Sequence, residues 1–248
     1  MVLGQPVVEG KSKKIFKLDE DTYFMCFKPH LRSITSKREG NILGTEKERM
    51  KANFYFMNLL ESNGIKTQIK GSAPEVIDGN EGIRVKKVKP IPLEFICRYY
   101  AKGSIVRLYP SIVKEGDKFS VPLFKYDLKQ DISVAGVDDP TLNESYIVGL
   151  GLLSQSDFQK ARSILAATGE LINKTLYKKN IKLIDMKMEM GFDNSGDVVV
   201  IDEISQDCIR ANDIDTDKPL TKDAYRELKS DEEVLSLYKK FNDILHAD

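Results

Sequence analysis

Two segments in the second half of the chain carry acidic residues at a spacing that suits a divalent metal ion. Asp185, Lys187 and Glu189 alternate along a predicted strand, so their side chains share one face. A second apolar run ends in Asp202. Antiparallel pairing of the two runs would bring Glu189 towards Asp202, and such carboxylates bind Mg²⁺ that also bridges nucleotide phosphates. The alternative is an amphipathic hairpin whose charges are simply solvated.

A basic segment near the N-terminus has the composition of a phosphate-binding site. Its sequence from Glu9 to Lys14 is Glu-Gly-Lys-Ser-Lys-Lys. Glycine allows a close approach of backbone to phosphate, and Lys11 and Lys13 would share one face of a strand, where they could neutralise a nucleotide. The segment is not a Walker loop, because the spacing differs and no helix follows. A solvated start of a basic strand remains the alternative.

Two further segments could bind a phosphorylated small molecule. Arg98 ends a predicted strand and Ser104 begins a predicted short helix, so a guanidinium, a hydroxyl and a helix N-terminus would meet. Asp207 could accept hydrogen bonds from an amine or a ribose hydroxyl, and Arg210 could hold a phosphate or carboxylate. Each of these charged residues could instead be a solvated loop residue.

Composition excludes several classes of protein. The 38 basic and 38 acidic residues among 248 cancel, which gives no electrostatic footprint for nucleic acid or an anionic membrane. No apolar run is long enough to span a bilayer, and the N-terminus does not read as a signal peptide. With two histidines, His30 and His246, a histidine triad or histidine-rich zinc site is not expected. Three cysteines without metal spacing favour a cytoplasmic protein with reduced thiols.

Hydrophobic periodicity predicts a β-rich first third and a mixed second half. Asn63-Gly64 would end the first long helix, and Ser156-Asp157 could cap the second. The pattern indicates an α+β protein with a β-rich N-terminal lobe, 1–85, and a mixed C-terminal lobe, 86–248. Strands are predicted over 13–18, 22–27, 67–76, 83–88, 93–99, 182–192 and 198–204, with Lys89–Pro92 as a connection, and long helices over 46–62, 156–179 and 231–246.

Taken together and in this order, the motifs resemble the SAICAR (phosphoribosylaminoimidazole-succinocarboxamide) synthetase family, from Glu9 to about Arg226. One such motif would be weak, but four in order at compatible spacing are specific. The family's Glu-Gly-Lys-x-Lys matches residues 9–13, Arg-x-x-Ala-x-Gly-Ser matches 98–104, Asp-x-Lys-x-Glu-x-Gly matches 185–191, and Asp-Glu-x-x-x-Asp-x-x-Arg matches 202–210.

The resemblance implies a two-lobed fold related to ATP-grasp enzymes, with ATP in the cleft. It implies a ligase that condenses carboxyaminoimidazole ribotide with L-aspartate through an acyl phosphate, in de novo purine biosynthesis. It also implies small-molecule substrates, no nucleic-acid or membrane partner, and homo-oligomers as are common in the family. ATP would bind Lys11, Lys13, Lys187, Glu189 and Asp202, Mg²⁺ would bind Glu189 and Asp202, the ribotide would bind Arg98, Ser104, Asp207, Arg210, Lys222 and Arg226, and Lys187 and Lys125 would be catalytic.

The chain departs from the family pattern at several positions, which keeps two alternatives open. One is a paralogous ATP-dependent carboxylate–amine ligase for a related ribotide or amino acid. The other is a catalytically silent nucleotide-binding protein, against which the matched lysines and acids of the nucleotide site argue. The departures are Lys28-Pro-His30, Gly44-Thr45, Met50, the altered acidic segment at Lys125-Tyr-Asp127 and Asp138-Asp-Pro140, and Ala211-Asn212 after Arg210.

Overall fold

The computed structural model describes residues 2–33, 36–129 and 139–247; Asp138 of the altered acidic segment lies outside them. The strands are β1 Val8–Glu9, β2 Lys13–Lys17, β3 Thr22–Phe27, β4 His30–Ser33, β5 Arg38–Asn41, β6 Glu75–Ile77, β7 Asn80–Lys86, β8 Lys89–Tyr100, β9 Lys118–Leu128, β10 Thr141–Leu142, β11 Ile181–Phe192, β12 Val198–Ile201 and β13 Ile209–Asp213. The helices are α1 Thr45–Ser62, α2 Ser104–Leu108, α3 Glu144–Gly149, α4 Gln155–Lys178, α5 Asp223–Arg226 and α6 Asp231–His246.

The N-terminal sheet is antiparallel, with strand order β1-β2-β3-β7-β6. The strands predicted over 13–18 and 22–27 pair as an antiparallel hairpin, in which β2 and β3 are in register from Lys13↔Phe27 to Lys17↔Tyr23. Both faces are apolar: Met25 and Ile83 pack on one side, and Phe16 and Phe24 pack on the other. Burial on two sides makes this sheet a rigid support for the loops at its edge.

The C-terminal sheet has the order β10-β9-β8-β11-β12, with β13 also paired to β11. On one face, Met186 and Met188 of β11 join Phe95 of β8 in the main core, against α4. Gly169 of α4 permits this close packing, since a Cβ there would lie 2.8 Å from the Sγ of Cys97. The opposite face is left to the charged residues of the same strands.

The segment 66–70 joins the two sheets, and the strand predicted over 67–76 is wrong. Thr67 forms an isolated parallel bridge with Val200 of β12, and Ile69 forms an antiparallel bridge with Val85 of β7. The backbone is no longer extended at Gly71, which has φ 113° and precedes β6. The chain therefore holds the two sheets together here instead of extending one of them.

Other predictions differ from the structure at the ends of elements. Lys89–Pro92 is part of β8, because Lys89 and Pro90 pair with Phe192 and Gly191 of β11 beyond an irregularity in the ladder, where proline is tolerated. The cap of α4 is Ser154, whose hydroxyl accepts from the Asp157 amide, so the helix begins before the predicted position. Strand β12 stops at Ile201, three residues early. Helix α6 has the predicted bounds.

The two larger sheets occupy residues 8–86 and 89–213, β4 and β5 form a separate two-stranded sheet, and the division into lobes at residue 85 remains a prediction. Helix α1 lies in the N-terminal part of the sequence but packs against α6 at the other end of the chain. In the part of the chain that the structure describes, no helix is both long and apolar enough to cross a membrane.

Candidate active site

Strands β9, β8 and β11 place charged side chains in register on the face of the C-terminal sheet opposite α4. Residues directly opposite one another in neighbouring antiparallel strands lie side by side on one face. Three rows result: Asp185 beside Arg98 and Leu123, Lys187 beside Ile96 and Lys125, and Glu189 beside Glu94 and Asp127. Three acids of this face therefore lie in one row at one end, and the contacts between arginine and Asp185 lie at the other end.

The metal end of this face consists of Glu189, Asp202, Lys13 and Lys129. The predicted hairpin is confirmed, with Glu189 opposite Ile201, so that Asp202 follows directly. Asp202 has φ 64°, a left-handed conformation that is uncommon outside glycine and that ends the strand. Lys13 Nζ lies 2.6 Å from both carboxylate oxygens of Asp202, and Lys129 Nζ lies 2.5 Å from Glu189 Oε2.

The pKa values of the two carboxylates are shifted in opposite directions. Burial and the charge of Asp202 raise the pKa of Glu189 above its ordinary value, although Lys129 opposes this. Burial acts to raise the pKa of Asp202 too, but the Lys13 ammonium outweighs it and the pKa is lowered. Glu189 and Asp202 are close enough for the charge of one to shift the pKa of the other, and their carboxylates are hard oxygen donors of the kind that bind Mg²⁺. Within the described residues, no group of three or more His, Cys, Asp or Glu is placed to hold a metal, so water or phosphate oxygens would supply the remaining ligands of a bound Mg²⁺.

Lys11 and Lys13 do not share one face of a strand, and that prediction is wrong. The chain reverses between β1 and β2, where the Gly10 amide donates to the Lys13 carbonyl at 2.9 Å, so Lys11 lies at a hairpin tip. Lys11 is exposed, whereas Lys13 is buried. Lys28 supports the tip, because its Nζ donates to the Gly10 carbonyl at 3.0 Å. The two lysines thus approach a ligand from a loop and from a strand.

Lys187 and Lys125 lie in the middle row, and each contacts an acid that was not among the predicted site residues. Lys187 Nζ donates to Glu94 Oε1, and Lys125 Nζ donates to Asp127 Oδ2 at 2.6 Å. Burial would lower the pKa of Lys187, but Glu94 outweighs it and the pKa is raised. Lys187 is therefore an ammonium group suited to stabilising negative charge, not a base. A single acid within an apolar predicted strand, Glu94 between Leu93 and Phe95, was the available signal.

The arginine end consists of Asp185, Arg98 and Arg210. The carboxylate of Asp185 accepts from Arg98 Nε at 3.0 Å and from Arg210 Nε at 2.8 Å. A cavity of about 240 Å³ opens beside this group. It brings together six of the predicted site residues, namely Arg98, Lys187, Asp207, Arg210, Lys222 and Arg226.

Asp207 lines this cavity and accepts hydrogen bonds from three neighbouring side chains. It accepts from Lys222 Nζ at 3.3 Å, from Arg49 Nη1 at 3.1 Å and from the Tyr238 hydroxyl at 2.9 Å. Burial acts to raise the pKa of Asp207, but Lys222 and Arg49 outweigh it and hold that pKa well below its ordinary value. Asp207 is therefore an anion at neutral pH, able to accept hydrogen bonds from a ligand.

Ser104 lies outside that cavity and lines a neighbouring one of about 400 Å³, together with Arg210 and Arg226. Helix α2 begins at Ser104 as predicted but is only five residues long. Gly103 before it has φ 72°, and a Cβ there would lie 2.6 Å from Arg210 Nη1. Glycine at this position allows Arg210 to reach between the two cavities.

Comparisons with known proteins identify the family of this chain. The family model of SAICAR synthetase matches residues 6–240. The phosphoribosylaminoimidazole-succinocarboxamide synthase of Sulfolobus acidocaldarius is 31% identical over 239 residues, which cover 96% of this chain and 97% of that protein. The enzyme of the same name from Methanoculleus marisnigri is 34% identical over 223 residues, covering 90% and 88%.

Solved structures of this family share the fold. A Type-2 SAICAR synthetase in complex with ADP has a TM-score of 0.85 at 30% identity and covers 97% of both chains. A Type-1 SAICAR synthetase from Pyrococcus horikoshii has a TM-score of 0.84 at 29% identity, covering 96% of this chain and 98% of the other. These matches confirm the α+β fold class and the resemblance found in the four motifs. The chain belongs to the SAICAR synthetase family.

Proposed function

We propose that this protein condenses carboxyaminoimidazole ribotide with L-aspartate at the expense of ATP, as a step of de novo purine biosynthesis. The observation that carries the proposal is one sheet face with two differently built ends: carboxylates paired to lysines at one, and an arginine-lined cavity at the other. Membership of the family and the likeness to a synthetase in complex with ADP support it.

The nucleotide would bind at the metal end, between the hairpin tip and the sheet. Lys11 and Lys13 would neutralise its phosphates from one side, and Lys187 would do so from the sheet. Mg²⁺ held by Glu189 and Asp202 would supply further neutralisation of phosphate charge. Since Lys13 already contacts Asp202 at 2.6 Å, binding exchanges a lysine–carboxylate pair for lysine–phosphate contacts.

The ribotide would bind at the arginine end. Arg98, Arg210 and Arg226 supply guanidinium groups for its phosphate, Ser104 supplies a hydroxyl, and Asp207 accepts from the ribose. The imidazole carboxylate would then point towards Lys187 and Lys125 in the middle row. This places it between the nucleotide phosphates and the ribotide anchors.

The reaction would proceed in two steps that need positioning more than acid–base catalysis. The ribotide carboxylate attacks the γ-phosphorus of ATP, which gives an acyl phosphate and ADP. The amine of aspartate then attacks the acyl carbon, the amide C–N bond forms, and the C–O bond to phosphate breaks. Lys187, held as an ammonium by Glu94, stabilises the negative charge on the transferred and released phosphate.

We further infer a cytoplasmic location. Cys26, Cys97 and Cys208 are all free thiols. Burial raises the pKa of Cys26 and of Cys97 to about 11, so both are unreactive at neutral pH. Homo-oligomers remain a prediction from the family resemblance.

An omission assay for ADP tests the proposal. We expect ADP release only when ATP, Mg²⁺, carboxyaminoimidazole ribotide and L-aspartate are all present. ADP release with the ribotide but indifferent to aspartate would contradict the proposal and favour a paralogous ligase for another amine. No ADP with any of these acids and amines would favour a silent nucleotide-binding protein.

A further inference from the structure

Arg49 of α1 is a completely buried arginine that none of the sequence motifs includes. Its side chain has an exposed fraction of 0%, and it lies between the N-terminal sheet and the segment that follows β12. It neighbours Met50, one of the positions at which the chain departs from the family pattern. A buried charge is costly unless several partners satisfy it, so its contacts indicate what it does.

One edge of the Arg49 guanidinium holds the backbone of the phosphate-binding hairpin. Its Nη2 lies 2.6 Å from the Lys28 carbonyl and 3.4 Å from the Ser12 carbonyl. The Lys28 amide in turn donates to the Ser12 carbonyl at 2.7 Å. Ser12 is the residue between Lys11 and Lys13, so these contacts determine where both lysines are presented.

The other edge of the guanidinium holds the acid of the ribotide cavity. Nη1 lies 3.1 Å from Asp207 Oδ2 and 3.9 Å from Glu203 Oε1. The guanidinium carbon also lies 5.6 Å from the ring centre of Phe27, which limits its tilt. The rigid, planar guanidinium of Arg49 therefore links the hairpin backbone to Asp207 in the ribotide cavity.

Lysine could not make the same connection. A guanidinium presents five donors in a fixed plane, whereas an ammonium is a compact point charge that can serve one end but not both edges. Replacement of Arg49 by lysine would keep the positive charge near Asp207 and release the hairpin backbone. This difference separates a linking role from a purely electrostatic one.

We propose that Arg49 is a positioning residue that joins the Lys11–Lys13 hairpin to Asp207 and so makes nucleotide and ribotide binding interdependent. It touches neither proposed ligand. This inference rests on the proposed function for the identity of the ribotide. Its effect on the hairpin can be measured with ADP and Mg²⁺ alone.

The test is calorimetric titration of ADP with Mg²⁺, with and without carboxyaminoimidazole ribotide. In the unsubstituted protein we expect the ribotide to tighten ADP binding by about 5-fold or more. In Arg49→Lys we expect ADP alone to bind about 10-fold more weakly and the ribotide to change ADP affinity by less than about 2-fold.

Arg38→Lys is the matched control. Arg38 also contacts two carbonyls, those of Tyr225 at 3.3 Å and Lys229 at 2.7 Å, and one carboxylate, Asp231 at 2.6 Å, but it reaches neither Ser12 nor Asp207. In Arg38→Lys we expect ADP to bind as tightly as to the unsubstituted protein, and the ribotide to increase ADP affinity by the same factor. Equal losses in the two variants would overturn the proposal, as would unchanged ADP affinity in Arg49→Lys.

A second measurement needs no variant, in case Arg49→Lys does not fold. Hydrogen exchange of the unsubstituted protein should show slower exchange at the Lys28 amide when the ribotide binds, since Asp207 then fixes Arg49. Unchanged exchange there with ribotide bound would overturn the link. Failure of the ribotide to bind at all would contradict the proposed function instead, while the ADP titration would still decide the role of Arg49.

Discussion

The metal end and the arginine end of the charged face are built from different kinds of ion pair. At the metal end the two lysines contact different acids, Lys13 with Asp202 and Glu203 and Lys129 with Glu189, and the Lys129 and Glu189 side chains are 41% and 13% exposed. At the arginine end two guanidiniums share the one carboxylate of Asp185, and Arg98 and Asp185 are only 8% and 9% exposed.

The two kinds of ion pair predict how each end would accept its ligand. A lysine ammonium is a mobile point charge that can leave a carboxylate for a phosphate, so the metal end can exchange partners when nucleotide arrives. Two guanidinium groups locked on a buried acid cannot move without leaving that acid unpaired, so the arginine end is preformed. Substitutions at the two ends should therefore fail in different ways.

The largest expected effect comes from Glu189→Gln. The amide cannot supply an anionic oxygen, so we expect kcat to fall about 1000-fold, roughly 4 kcal/mol, from loss of metal-assisted charge neutralisation. The thermal midpoint should change little, because the isosteric amide loses only a partly exposed contact to Lys129. Steady-state kinetics and a thermal melt measure both.

Glu75→Gln is the control for this substitution. Glu75 also loses a close basic partner, Arg84 at 2.7 Å, but lies in the N-terminal sheet. Its kcat should be that of the unsubstituted protein. Normal turnover in Glu189→Gln would show that the metal end is not where charge is neutralised.

Asp207→Asn should affect stability, because it leaves buried cations without their anion. We expect the free energy of unfolding to fall by about 3 kcal/mol near neutral pH. The lowered pKa of Asp207 means that its stabilisation is present above the ordinary carboxyl pKa and is lost as pH falls towards the folded-state value. The difference in the free energy of unfolding between Asp207→Asn and the unsubstituted protein should thus be constant from about pH 5 to 8 and become smaller below about pH 4.

Chemical denaturation across this pH range measures the difference. Asp215→Asn provides the comparison, since Asp215 is exposed and contacts only Asn180 at 2.6 Å among the hydrogen bonds of the described residues. The free energy of unfolding of Asp215→Asn should differ from that of the unsubstituted protein by less than about 0.5 kcal/mol at every pH. A difference for Asp207→Asn that grows on acidification would contradict the assignment of a paired, ionised Asp207.

Arg210→Lys should weaken ribotide binding alone. The substitution keeps the charge but loses the planar contact with Asp185, and we expect KM for the ribotide to rise about 10- to 100-fold with KM for ATP unchanged. Arg84→Lys is the matched control, because Arg84 makes a similar two-point contact with Glu75 at 2.7 and 2.9 Å in the N-terminal sheet. An equal rise in both KM values for Arg210→Lys would remove the distinction between the ends.

The smallest effect is expected for Lys11→Met at the hairpin tip. Lys11 is exposed and forms no ion pair with any residue in the described ranges, so stability should not change. An exposed ammonium–phosphate contact is worth little, and we expect KM for ATP to rise about 2- to 5-fold. Lys17→Met, at an exposed position on β2, should leave KM unchanged. A larger effect at Lys17 than at Lys11 would place the nucleotide elsewhere.

Patterns that repeat along one element were predictable from the sequence. The period-two alternation of Asp185, Lys187 and Glu189 gave the charged face of β11, and the apolar spacing of the last helix gave the bounds of α6. Within these elements the local pattern and the tertiary packing agree, so the register needed no distant information.

Features that depend on distant partners were not predictable in this way. Segment 66–70 alternates like a strand, but its bridges go to two different sheets. Arg49 looks like a solvated helix residue, and only the carbonyls of Ser12 and Lys28 and the carboxylate of Asp207 make its burial favourable. The hairpin turn at Lys11 was not predicted, because the chain turns at the position where the sequence pattern indicated the start of a strand.

Binding of Mn²⁺, which shares the preference of Mg²⁺ for carboxylate oxygens, tests the central claim most directly. Electron paramagnetic resonance should show one Mn²⁺ bound per chain in the presence of ADP, and the loss of that bound ion in Asp202→Asn while ADP is held at saturating concentration. Retention of the ion in Asp202→Asn with unchanged affinity would contradict the claim that Glu189 and Asp202 together hold a metal–nucleotide complex.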